Sequence, residues 1–141
     1  MKRIAFVLIL FLIAHQGLNA QEHIIKLWDE VPNQNKTDEK EKITEKGVKL
    51  IANVQEPLIE VYLPSARSQT GEAVLIFPGG GYHVLAYDWE GRDLAKYLSS
   101  QGIVGIVVKY RLPISKSIIN PSIAPLQDAQ RAMRILRSKA K

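Results

Sequence analysis

The chain has 141 residues, of which 46% are hydrophobic, and a formal net charge of +5. This length allows one domain with an ordinary hydrophobic core. The lack of cysteine excludes a disulfide framework and a thiolate metal site. A positive charge this small gives no support for nucleic-acid binding.

The first 20 residues have the pattern of a secretory signal peptide. Lys2 and Arg3 precede an apolar run over residues 4–14, and Ala20 is small enough for cleavage after it. The run is shorter than the roughly 20 residues that a membrane-spanning helix needs. We therefore expect a periplasmic or secreted protein without a stable membrane anchor after cleavage, and an uncleaved anchor is the alternative.

Residues 21–46 predict a polar lead-in to a folded domain over residues 47–141. The middle of the lead-in, Pro32–Lys42, is polar and charged and has no apolar period. Two short strands are then predicted at Lys49–Val54 and Leu58–Leu63, because apolar and polar residues alternate in the second and a proline ends it.

Alternating strands and helices follow, which predicts an α/β fold. Ala73–Phe77 is apolar without alternation, as in a parallel strand covered on both faces. Asp88 and Gly102 mark the start and end of a predicted helix, and Ile103–Val108 is the next buried strand. A last helix begins near Pro125. The face of that helix expected to pack on the sheet consists of Leu126, Ala129, Met133 and Leu136.

Three consecutive glycines, Gly79–Gly81, follow the predicted strand Ala73–Phe77 and precede Tyr82. Three glycines cost chain entropy and therefore need a reason. One reason is a backbone whose N–H groups turn toward a ligand, as in a hole that stabilises a developing oxyanion. A flexible turn between a strand and a helix would explain the glycines equally well.

Four motifs, Pro78–Tyr82, Glu90–Gly91, Lys109–Pro113 and Asp128–Ala132, carry a family resemblance. With them the chain resembles the α/β-hydrolases of the secreted acetyl-esterase type, a bacterial group often labelled xylanase or lipase-like. The resemblance runs from about Leu58 to the last residue. It implies an incomplete α/β-hydrolase sheet of the first strands and two helices, with a mostly parallel core.

The resemblance also implies a function. The chain would be the N-terminal part of a serine carboxylic-ester hydrolase acting on acetylated carbohydrate or similar esters. Gly80 and Gly81 would supply the N–H groups of the oxyanion hole, while Gly79 and Tyr82 would support the loop or line the substrate site. The alternative is a non-catalytic exported α/β module that binds an ester or a sugar.

The residues for the rest of the chemistry are missing from the sequence. No serine lies in the family's nucleophile motif G-x-S-x-G. His83 is the one histidine near the glycines, but the base of the family comes from a later loop. We therefore expect no triad residue and no ester hydrolysis by this chain alone. No His, Asp or Glu cluster has ligand spacing, so neither a metal nor another cofactor is expected.

Two further expectations concern structure. Asp128 precedes the place of the family's nucleophile, whereas the triad acid follows it, so we expect Asp128 to pair with Arg111 in a structural role. Trp89 is expected either in the substrate pocket or in the core. Ala73–Phe77 would form an apolar sheet edge, because the strand that should pair with it is missing, and we expect self-association there.

Overall fold

The computed structural model of the protein describes residues 22–140. The predicted signal peptide and its cleavage site lie outside these residues. Within them, no helix is long and apolar enough to cross a membrane.

The described residues form seven strands, one π-helical turn and two α-helices. The strands are β1 (Glu22–Lys26), β2 (Lys42–Lys46), β3 (Val48–Ala52), β4 (Leu58–Tyr62), β5 (Ala73–Ile76), β6 (Leu85–Ala86) and β7 (Val104–Lys109). The helical segments are the π-helical turn Asp88–Arg92, α1 (Asp93–Ser100) and α2 (Ala124–Lys139).

The main sheet has the strand order β1-β4-β7-β5. β4 is antiparallel to both β1 and β7, and β5 and β7 form a parallel pair. The predicted mostly parallel core is therefore wrong for residues 22–140, where the sheet is mixed. Parallel neighbours need a crossover connection, and α1 provides one between β5 and β7, whereas β4 runs in the opposite direction to its neighbours β1 and β7.

A second, smaller sheet has the order β2-β3-β6. Leu50 in β3 pairs with Ala86 in β6, and Ile51 pairs with Leu85. β6 comes directly after the glycine loop, so this pairing ties the far end of the loop to the N-terminal half of the domain.

The two α-helices cover opposite faces of the main sheet. Successive residues of a strand point to opposite faces. Gly105 faces α1, where a Cβ atom would lie 2.6 Å from Cα of Ala95. Ile106 faces the other way and shares an apolar hollow with Ile135 and Leu136 of α2. The main core therefore lies in two layers, one on each side of β4 and β7.

The predicted lead-in over residues 21–46 is only partly irregular. It contains β1 and β2, and Leu27 directly after β1 is fully buried in the core. Ile24, Ile25 and Leu27 are too few apolar residues to show a strand period in the sequence. The strand forms because β4 supplies hydrogen-bonding partners for its backbone.

The first predicted helix begins differently from expectation. Asp88 does not cap a helix, because its carboxylate accepts a hydrogen bond from the backbone N–H of Lys49 at 3.2 Å. The segment starts instead as a π-helical turn and becomes regular only at Asp93. This bond links the turn to β3, a long-range contact that the local sequence does not reveal.

Helix α2 begins at Ala124 with Pro125 in its first turn, as predicted. The predicted buried face is wrong, because Leu126 is 56% exposed and Met133 is 39% exposed. Leu136 is partly buried, and the fully buried residues are Ala124, Asp128 and Ala132.

The orientation of α2 follows from a buried ion pair between Arg111 and Asp128, which the sequence predicted. Nη2 and Nε of Arg111 donate to the two oxygens of Asp128 at 2.8 and 2.9 Å, and both side chains are 0% exposed. The Arg111 backbone N–H and the Trp28 indole donate to the same carboxylate at 2.9 and 2.8 Å. Because one carboxylate accepts four bonds, α2 turns Asp128 inward and leaves Leu126 outside.

We predict that Asp128→Ala lowers the free energy of unfolding by about 3 to 5 kcal/mol, since it leaves the guanidinium of Arg111 buried and unpaired. Urea unfolding of residues 21–141, followed by tryptophan fluorescence, measures the change. Glu56→Ala is the control, because it removes one partner of the exposed pair with Lys26 and should cost at most about 1 kcal/mol. Equal unfolding midpoints for the two variants would contradict the structural role.

β5 is an edge strand of the described sheet, with β7 on its one paired side. Val74 is 39% exposed, whereas Leu75 is partly buried against the core. The strand carries no charged residue, so its open side can pair with another strand. A charge that blocks such pairing therefore belongs at Val74 rather than at Leu75, where it would also disturb the core.

We predict that the isolated chain self-associates through β5 and that Val74→Lys raises the dissociation constant about tenfold, which is about 1.4 kcal/mol. Sedimentation velocity at several concentrations measures it. The control is Ile43→Lys, which adds the same charge at a 51% exposed position of β2, a strand that already carries charges. If the natural chain and both variants are monomers, or if the two substitutions have equal effects, association through β5 would be contradicted.

Candidate active site

The glycine loop begins where β5 ends and lies near the end of β7. Phe77 after β5 and Tyr110 after β7 contact each other edge to face, with ring centroids 5.9 Å apart. Parallel strands of α/β sheets commonly bind ligands beyond their carboxyl ends. The loop therefore occupies the edge of the sheet at which a site is expected.

The loop has a backbone conformation that favours glycine. Gly80 and Gly81 have φ values of 139° and 61°, and Tyr82 has φ 63°. A Cβ atom on Gly80 would lie 2.1 Å from the carbonyl oxygen of Val84, so a side chain cannot be accommodated there. The left-handed conformation of Tyr82 costs roughly 1 to 2 kcal/mol, which contacts elsewhere in the loop must offset.

Specific hydrogen bonds hold the first part of the loop. The buried hydroxyl of Tyr110 donates to the carbonyl of Pro78 at 2.9 Å. The N–H of Gly79 donates to Oε2 of Glu90 at 2.8 Å, and the N–H of Ala86 donates to the carbonyl of Gly79 at 2.9 Å. Burial, followed by the charges of neighbouring groups, raises the pKa of Tyr110, so its hydroxyl stays protonated and able to donate.

The second part of the loop leaves two N–H groups without a partner. The carbonyl of Gly80 accepts from the N–H groups of His83 at 3.1 Å and Val84 at 3.3 Å. Within residues 22–140, no acceptor is bonded to the N–H of Gly80 or Gly81. These two donors are the residues that the resemblance assigns to an oxyanion hole, and Gly79 differs from them because its own N–H is already bonded.

A cleft of about 410 Å³ lies beside the loop. Tyr82, 55% exposed, forms part of its wall. The other lining side chains are mostly aromatic, proline or aliphatic: Phe77, Tyr110, Pro113, Pro121, Ser122, Pro125, Leu126 and Ala129. This apolar concave surface begins at Tyr82, directly after the two glycines with unbonded N–H groups, and it suits a small apolar group that carries a polar oxygen.

The π-helical turn behind the loop is anchored to β4 by an ion pair. Arg92 donates from Nε and Nη2 to the two oxygens of Glu60 at 2.8 Å each, and its guanidinium lies 5.2 Å from the ring centroid of Tyr87. Burial alone would raise the pKa of Glu60, but the hydrogen bonds and charge of Arg92 outweigh it and the pKa lies below its ordinary value. Glu60 is therefore ionised at neutral pH and holds the turn.

Other sequence candidates lie elsewhere or serve structure. His83 is exposed next to the loop, and Asp128 is buried in its ion pair with Arg111. Trp89 is 60% exposed, so the expectation of core packing is wrong. In the part of the chain that the structure describes, no group of three His, Cys, Asp or Glu residues could hold a metal ion.

Sequence reasoning missed the roles of Glu90, Tyr110, Arg92 and Glu60. Glu90 and Tyr110 lie in motifs that carry the family resemblance, but nothing local shows which backbone group either one contacts. Arg92 and Glu60 are 32 positions apart, and only the packing of the π-helical turn on β4 brings them together.

Comparisons with known proteins point to ester hydrolases, although no family model matches the chain. The chain is 38% identical over 80 residues to an acetylxylan esterase from Xylanibacter ruminicola, a match covering 57% of this chain and 15% of that protein. It superimposes on an acetyl ester-xyloside bifunctional hydrolase from Caldicellulosiruptor lactoaceticus with a TM-score of 0.56 and 27% identity, over 89% of this chain and 39% of the other.

A thermophilic esterase from Thermogutta terrifontis superimposes less well, with a TM-score of 0.48 and 21% identity over 79% of this chain and 37% of its own. The chain thus spans about 15% of the matched acetylxylan esterase and 39% of the matched bifunctional hydrolase. It is similar to part of an esterase in both sequence and structure.

Proposed function

We propose that these residues form the N-terminal part of a secreted serine carboxylic-ester hydrolase of the α/β-hydrolase family. In this proposal the chain contributes the oxyanion-hole loop, and the nucleophile, the base and the triad acid come from outside the 141 residues. The similarity to esterases that are several times longer supports this division.

The observation that carries the proposal is the pair of unbonded N–H groups at Gly80 and Gly81, in the loop whose next residue, Tyr82, lines the cleft. When a serine oxygen attacks an ester carbonyl, negative charge develops on the carbonyl oxygen. Two backbone donors fixed near that position stabilise this charge, and removing one such donor costs about 3 kcal/mol in known enzymes. The adjacent apolar wall would hold the acyl group.

For the substrate we propose an acetyl ester of a carbohydrate. Two similar proteins are named for acetylxylan and for acetyl ester and xyloside substrates. The lining of the cleft is mostly apolar, which suits a short acyl group, and Tyr82 at its wall offers a ring face for a sugar. Such a substrate is found outside the cell, in agreement with the predicted signal peptide.

We predict that purified residues 21–141 hydrolyse p-nitrophenyl acetate no faster than the Gly80→Pro variant, because the serine and its base are absent. The release of p-nitrophenol at several substrate concentrations measures the rate, and circular dichroism checks that both chains are folded. Saturable hydrolysis that a serine-directed inhibitor abolishes would refute the proposal that the catalytic triad comes from outside this chain. It would mean that the chain contains a complete catalytic centre.

The oxyanion role is tested in a hybrid in which residues 58–140 replace the corresponding part of the Xylanibacter acetylxylan esterase. The hybrid should hydrolyse acetylated xylan. Exchanging Gly80 or Gly81 for glycolic acid, which replaces the amide N–H by an ester oxygen, should lower kcat by about 10² to 10³. The same exchange at Gly71, in an exposed loop, is the matched control and should change kcat less than about threefold.

Two outcomes of this experiment would overturn the proposal. A folded hybrid without esterase activity would contradict the function, and an active hybrid whose kcat is the same after exchange at Gly80, Gly81 and Gly71 would contradict the oxyanion role. In the second case the loop would be a binding element, as in the alternative of a non-catalytic ester- or sugar-binding module.

A further inference from the structure

We propose that Glu90 is a positioning residue that clamps the glycine loop. Its carboxylate binds the N–H of Gly79 and thereby fixes the start of the loop that presents the N–H groups of Gly80 and Gly81. The catalytic meaning of this clamp rests on the proposed function, whereas the clamp itself can be tested without any turnover.

The clamp is a direct contact. Oε2 of Glu90 accepts the N–H of Gly79 at 2.8 Å, and hydrogen bonds to an ionised acceptor are roughly twice as strong as neutral ones. A Cβ atom on Gly79 would lie 2.7 Å from the same oxygen. Gly79 is therefore glycine for a different reason from Gly80, since the space that its side chain would need is filled by the carboxylate.

The neighbour of Glu90 in sequence explains how the carboxylate reaches the loop. Gly91 is buried, and a Cβ atom there would lie 2.9 Å from Val107 and 3.0 Å from Pro78. The missing side chain lets the π-helical turn lie directly against the start of the loop. The wider winding of a π-helix, which is frequent at functional sites, turns Glu90 toward Gly79.

Both ends of the π-helical turn are fixed to strands. Asp88 accepts the backbone N–H of Lys49 in β3, and Arg92 binds Glu60 in β4 through two hydrogen bonds. Glu90 lies between these two anchors. Its carboxylate is therefore held before any substrate binds, which is the condition for preorganised stabilisation of a transition state.

The loop needs such a restraint. Consecutive glycines have many accessible conformations, and the left-handed Tyr82 at their end is unfavourable. The bonds to the carbonyls of Pro78, Gly79 and Gly80 restrain three peptide oxygens. The Glu90 contact binds the N–H side of the Pro78–Gly79 peptide, whose carbonyl Tyr110 holds, so the first peptide plane of the loop is fixed on both sides.

The test uses NMR spectroscopy of the ¹⁵N-labelled chain, and it measures the amide proton of Gly79 and the order parameters of Gly80 and Gly81. In the natural chain the Gly79 amide proton should lie downfield, because it is bonded to a carboxylate oxygen, and removing that acceptor should move it upfield.

Three variants distinguish a clamp from a general structural role. Glu90→Ala should move the Gly79 amide proton upfield and lower the order parameters of Gly80 and Gly81 from about 0.85 to below about 0.6. Glu90→Gln keeps an oxygen acceptor, so it should move this proton less and keep the order parameters. Glu56→Ala removes an exposed carboxylate elsewhere and should change neither measurement.

If Glu90→Ala does not fold, Glu90→Gln still decides the question, because a neutral amide oxygen makes a weaker bond to Gly79 than a carboxylate does. A Gly79 amide proton at the same position in the natural chain and in Glu90→Gln, or loop order parameters that are unchanged in Glu90→Ala, would overturn the clamp.

In the active hybrid, Glu90→Ala should lower kcat about tenfold or more and change KM less than about threefold, because the oxyanion exists only in the transition state. A hybrid without activity and with an intact NMR response would overturn the proposed function and leave the clamp standing. A hybrid with normal kcat in Glu90→Ala would overturn its positioning role.

Discussion

The buried ion pair between Arg111 and Asp128 is the interaction on which the arrangement of the domain depends. It joins the segment after β7 to the first turns of α2, and Trp28 and Pro32 from the N-terminal segment bond to the same two side chains. Burying two charges is costly unless every hydrogen bond is made. The pair is therefore stable in one arrangement, which sets the rotation of α2 and closes one wall of the cleft.

A second set of polar contacts holds the glycine loop. Glu60 and Arg92 fix the π-helical turn to β4, Glu90 extends from that turn to Gly79, and Tyr110 holds the carbonyl of Pro78. Each contact joins residues distant in sequence. The loop is consequently a rigid element with two donors left over, and this is what makes the proposal of an oxyanion hole physically reasonable.

The fold explains why the candidate site lies at the edge of the described structure. β5 is the last strand of the main sheet, and the loop and the apolar cleft lie at its carboxyl end. A nucleophile supplied by a neighbouring strand would approach the loop from the open side of β5. The same open side exposes Val74 and unpaired backbone groups, so the proposed catalytic role and the expected self-association have one structural origin.

The sequence by itself determined β3, β4, β5 and β7, the start of α2, the glycine loop and the pairing of Asp128 with Arg111, because these depend on local patterns or on a family motif. It did not determine the mixed direction of the sheet, β1, the exposed side of α2 or the role of Glu90. Strand direction and helix rotation depend on contacts between residues far apart in sequence, such as Trp28 with Asp128. Only the tertiary structure brings those groups within hydrogen-bonding distance. There the hydrogen bonds of the buried Asp128 carboxylate determine the rotation of α2, although burial of Leu126 and Met133 would favour a different rotation.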